Sequence, residues 1–237
     1  MKRIALALLL LATAAPAQEV EQVTVYGGSL SGFWHVNGPS WLQMNLFGKT
    51  TWGPLRGAIC RIGHDHEGYN THCFNQKGSG GTLEVDGSHF HLAWGSMLAR
   101  MVYDGEATSA TAFHGHFAAK LMGIPITNPD VSDGNKIALD PATPDAAGKA
   151  GLLRAVLNGE AVAHDPKLDE VIAAARADRP GAMQQIFYLG MQGKAAGPEV
   201  AAVPDFLAVY AVEYADGERI CWLHQDDDGK LAAFQCG

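Results

Sequence analysis

Two pairs of histidines, His89/His91 and His114/His116, carry the spacing in this chain best suited to chemistry. Residues two apart on a strand point to one face, so each His-x-His pair presents two imidazoles side by side. Such imidazoles take zinc or copper through ring nitrogens about 2 Å from the ion. They can also serve metal-assisted hydrolysis or lyase chemistry. A second set, His64, His66 and His72, sits with Asp65 and Glu67 between Cys60 and Cys73. Imidazoles and carboxylates there could hold a metal or act as an acid and a base.

Each set also has a plainer reading, which the sequence alone favours. The first pairs, read without a nearby carboxylate, fit no specific ligand signature, and they suit the polar face of a half-solvated hairpin. The second set reads as a polar hairpin tip, where Asp and Gly belong for their turn chemistry. Other chemistries find little support. Asp226-Asp227-Asp228-Gly229 lacks the spaced ligands and terminal Glu of an EF-hand. No G-x-S-x-G is present, and Gly78-Ser79-Gly80-Gly81 lacks the Lys-Ser/Thr of a phosphate loop.

The histidine pairs must be positioned by strands. Residues 82–122 read as two successive hairpins turned at Asp86-Gly87 and Asp104-Gly105, because Asp-Gly between alternating runs favours a type I′ turn. In the register set by the second turn, His116 faces Ala93, His114 faces Gly95 and His91 faces Ala118. All four histidines then share one face. Phe90, Leu92, Trp94, Phe113 and Phe117 share the other, with Trp94 covering Gly115. Together with Trp34 and Met101, these aromatics could line an apolar pocket or fill a core.

The cysteines staple the same framework. Cys221 and Cys236 are equidistant from Asp228-Gly229, and Cys60 and Cys73 flank Asp65-His66-Glu67-Gly68 symmetrically. Two local disulfides, 60–73 and 221–236, follow in an oxidising compartment. An ideal two-residue turn makes 221 and 236 a hydrogen-bonded pair, with Cα atoms about 5.5 Å apart.

The N-terminus points to that compartment. Lys2 and Arg3, the apolar run Ile4–Ala12 and Ala15-Pro16-Ala17 form a signal peptide over residues 1–17. No cysteine follows the cleavage site, so there is no lipobox, and no later run is long enough for a transmembrane anchor. The expected location is the periplasm or the secreted medium. Removing Lys2 and Arg3 takes the 17 basic residues to 15, against 25 Asp plus Glu, a net charge of −10. That balance disfavours nucleic acid and anionic membrane surfaces as partners, since both need a basic patch, and no nucleic-acid partner is expected.

Residues 18–237 read as a single β-rich domain. Strand-like runs occupy the N-terminal part, with Leu30–Val36 among the clearest, and Gly32-Phe33-Trp34 has the G-x-W form that opens lipocalin barrels. Without that family's later motifs, three residues assign no family. A helical insertion is expected over about 141–195, with helices beginning at Thr143-Pro144, Asp165-Pro166 and Pro180-Gly181. A three-stranded meander follows from Phe206. The fold class is mainly β (α+β): an antiparallel sheet or barrel of hairpins with a three-helix insertion. The expected function is an exported, non-catalytic binder of a small apolar or amphipathic ligand. The alternative is a histidine- or metal-dependent periplasmic hydrolase or lyase.

Overall fold

The computed structural model describes residues 24–25, 28–37, 44–46, 49–51, 58–65, 68–74, 81–95, 98–125, 130–193 and 206–237. The expected signal peptide and His66 lie outside these residues.

Eight strands build the first part: β1 (Gly32–Asn37), β2 (Ala58–Asp65), β3 (Gly68–His72), β4 (Gly81–Asp86), β5 (His89–Gly95), β6 (Ala99–Ser109), β7 (Ala112–Leu121) and β8 (Asp130–Ile137). With the two-residue strand Ile124–Pro125 they form one antiparallel sheet, ordered β6-β5-β4-β3-β2-β1-β8-β7. Because β6 also pairs with β7, the pairings return to their start and the sheet curls into a barrel. Its thinnest joint is between β3 and β4, where the register holds the single pair Tyr69–Gly81.

Alternation decides what each face carries. Leu30, Trp34, Ile62, Phe90, Leu92, Tyr103, Ala107 and Phe113 are buried together inside the curl. Trp34 and Phe113 have ring centres 4.8 Å apart, and Phe113 meets Tyr103 at 5.4 Å and Phe90 at 5.8 Å. Of the aromatics expected to line a pocket, Trp34, Phe90 and Phe113 therefore pack on one another.

The second hairpin differs from the sequence expectation. Asp104-Gly105 is no turn: β6 runs straight through it and reverses at Ala110-Thr111. Ring packing explains the glycine. A Cβ at Gly105 would stand 2.4 Å from Tyr103 Cε1 and 2.5 Å from Phe90 Cζ, so the position must be bare for those rings to fit. A Cβ at Gly115 would meet the backbone of Asp104 and Gly105 and the ring of Tyr103, and the register sets Trp94 opposite Met101 rather than beside Gly115. The loop expected at Asp133-Gly134 is likewise part of β8.

A second, four-stranded sheet packs outside the barrel: β9 (Met183–Gly193), β10 (Phe206–Tyr214), β11 (Gly217–Gln225) and β12 (Leu231–Cys236). Its inner face buries Leu207, Val209, Ala211, Ile220 and Trp222 against Phe33 and Ile59 of the barrel. Its other face is covered by α1 (Ala150–Asn158) and α2 (Asp169–Ala177) through Leu153, Val156, Leu157 and Ile172. α1 ends on left-handed Gly159, and Asp165 caps the short turn that leads into α2.

The insertion thus holds two α-helices, not three. Pro180-Gly181 is a turn, with Gly181 at φ +88, and the segment expected as the third helix is β9. Met183, Ile186 and Phe187 suit a helix by spacing. Yet Ile186 joins the helix-side core while its neighbour Phe187 joins the barrel-side core, which is the period of a strand.

Both disulfides form as expected, with Cα separations of 4.5 Å for Cys60–Cys73 and 4.2 Å for Cys221–Cys236. The second separation belongs to a non-hydrogen-bonded pair rather than the hydrogen-bonded one expected. A register shift between His224 and Gln225 accounts for the change.

Candidate functional site

The corrected register brings carboxylates to the histidines. Glu84, His91, Asp104 and His116 are successive cross-strand partners along β4–β7. Two residues along, Asp86, His89, Glu106, His114 and Asp133 are successive partners along β4–β8. Acid and imidazole alternate in both rows, and the two-residue offset puts both rows on one face. The four histidines do share a face, as expected, but through different partners: His91 and His116 both face Asp104, and His89 and His114 both face Glu106.

This face looks outward. His114, His116, His89, Asp104 and Glu106 are exposed, while Phe90, Tyr103, Gly105, Phe113 and Gly115 between them are buried inside. Facing acid and imidazole side chains hydrogen-bond across adjacent strands at His91–Asp104 and His114–Asp133, and such cross-strand pairs contribute to the sheet. Glu84, Asp86, His89, His91, Asp104, Glu106, His114 and His116 border a groove of about 620 Å³.

Two imidazoles are already oriented. His91 Nδ1 donates to Asp104 Oδ1, and His114 Nδ1 donates to Asp133 Oδ1. With a carboxylate as acceptor the ring proton sits on Nδ1, leaving the Nε2 lone pair for a ligand. This is the arrangement in which a carboxylate orients a metal-binding histidine. His114 and His116 have ring centres 6.0 Å apart. Two imidazoles bound through nitrogen to one tetrahedral ion have centres roughly 5 Å apart, about an ångström closer than these. Among the described residues no three potential ligands already converge on one point.

Of the second histidine set, the two described members, His64 and His72, are not placed on one face. His72 pairs with Arg61 and His64 with Tyr69, and the odd spacing between Arg61 and His64 sends positions 64 and 72 to opposite faces. Arg61 is instead tied to Glu218 of β11, 3.3 Å away.

Asp104, Glu106 and Asp133 are the site residues that sequence reasoning missed. The signal was present as Arg100, Val102, Asp104 and Glu106 at period two, but the Asp-Gly turn rule overrode it. No protein-family model, curated protein or solved structure matches the chain.

Proposed function

We propose that this chain is an exported binding protein whose ligand is a divalent zinc or copper ion, taken up on the outer face of β5–β8. His114 and His116 are the paired nitrogen ligands, Glu106 is the carboxylate ligand from the next strand, and Asp133 holds the His114 ring. His91, Asp104 and His89 extend the same lattice and can take a second ion or widen the set. The observation that carries this reading is the alternating imidazole–carboxylate rows. Export is supported by the N-terminal signal pattern and by the two disulfides.

The apolar-ligand reading has less support, because Trp34, Phe90, Tyr103 and Phe113 fill the curl with each other. A hydrolytic reading would use the same ion to activate water, with the Asp104-oriented His91 as base.

Isothermal titration of the processed chain with zinc and with copper tests the proposal. We expect binding tighter than tens of micromolar, the order of magnitude below which a dedicated site is warranted. We expect it to be lost in His114→Ala/His116→Ala. Binding that is weaker, or that survives the double substitution unchanged, overturns it.

A further inference from the structure

The turn after β7 forms an apolar tip far from the histidine rows. Met122 N donates to Leu98 O at 2.9 Å, which draws the end of the β5–β6 connection against the turn. Leu98, Met122 and Ile124 are 63%, 72% and 68% exposed. Leu121 pairs with Ile124, so Met122-Gly123 is a two-residue hairpin turn with φ of +50 and +84. Asn-Gly is the favoured sequence for that left-handed pair. Met122 is disfavoured there twice, by its backbone conformation and by its exposure to water. One rung behind the tip, Arg100 and Lys120 are direct cross-strand partners. Like charges placed opposite one another are destabilising.

We propose that this tip docks on a lipid bilayer containing anionic headgroups. Leu98, Met122 and Ile124 enter the boundary between headgroups and acyl chains, and Arg100 and Lys120 meet lipid phosphates. The bilayer relieves both local costs, covering the apolar side chains and neutralising the facing cations. A second copy of the chain fits less well, since tip-to-tip contact would bring two Arg100–Lys120 pairs together. The acidic net charge does not forbid the contact. Asp104, the first carboxylate of the histidine face along β6, is four residues from Arg100, about 13 Å at the rise of a strand. That exceeds the screening length of about 8 Å at physiological salt.

Flotation of the processed chain with vesicles of phosphatidylcholine, alone or mixed with phosphatidylglycerol, tests the proposal. We expect flotation with the mixed vesicles, weakened about fivefold for each charge removed by Arg100→Gln and Lys120→Gln. Met122→Asn suits the turn better, so it should keep or raise the melting temperature while lowering flotation. No flotation with mixed vesicles overturns the proposal, as does undiminished flotation of Met122→Asn. Equal flotation of the double charge variant overturns the role of the cations. Concentration-dependent dimerisation without lipid, abolished by Met122→Asn, would make the occupant a second copy and overturn the lipid assignment.

Discussion

The ring of Phe113 occupies the space that a side chain at Gly134 would need: a Cβ there would lie 2.0 Å from Phe113 Cζ. The two residues are direct partners on β7 and β8. One residue along from each, His114 and Asp133 are hydrogen-bonded on the opposite face. Aromatic packing inside thus fixes the register that brings acid and imidazole together outside.

Gly134→Ala should lower stability by about 1–3 kcal/mol through overpacking. Gly151→Ala, in α1 with nothing near its added methyl, should raise it by roughly 0.5–1 kcal/mol. Urea titration of both variants measures the contrast. A neutral Gly134→Ala would mean that the Phe113 ring has somewhere else to go.

Asp133→Asn should weaken zinc binding by about 10–100-fold, the usual effect of losing a carboxylate that orients a metal-binding histidine. His72→Ala should leave it unchanged, since His72 is on β3 beside Arg61. Affinity should fall as the solution is made acidic, because ligation needs unprotonated imidazoles and releases protons. Titrations in buffers of different ionisation enthalpy would report that release; finding none would remove the histidines from the site.

His164 titrates above the usual histidine range because Asp169 accepts a hydrogen bond from its Nε2 at 2.6 Å, with Val162 O bonded to Nδ1. A raised folded-state pKa stabilises the fold fully below the unfolded value of 6.5 and loses that contribution as pH rises through the folded value. Asp169→Asn should therefore destabilise the chain more at pH 5.5 than at pH 8.5, values bracketing the ordinary histidine range. Thermal melts at the two pH values check the sign. A gap that widens toward alkaline pH would contradict it.

Each disulfide closes a short loop, with separations of 13 and 15 residues. Replacing either pair by serine should cost about 3 kcal/mol in the chain-entropy model. Peptide mapping without reductant should recover 60–73 and 221–236; any crossed linkage would contradict the hairpin layout.

Features that depend on local chemistry were legible in the sequence: the alternating strands, the first hairpin (though it turns on Gly87-Ser88, one residue beyond the expected Asp86-Gly87), the cysteine pairs and the shared face of the four histidines. Those that depend on partners distant in the chain were not. Asp104-Gly105 has the sequence of a turn, but its glycine answers to the rings of Tyr103 and Phe90. The segment Met183–Gly193 carries apolar residues at both strand and helix spacing, and pairing with Phe206–Tyr214 decides between them. The histidines were found, but their acidic partners emerged only with the three-dimensional register.

The pairing of β1 with β8 also bears on the order of assembly. Strands β4 to β7 are joined by short connections and can zip together as soon as they are made. Phe33 must wait for Ile137, its partner about a hundred residues later, and that closure carries the larger loop entropy. The acid–imidazole rows of β4–β7 would then exist early in folding. The ring would shut around Trp34 last, after the carboxylate of Asp133 has reached His114.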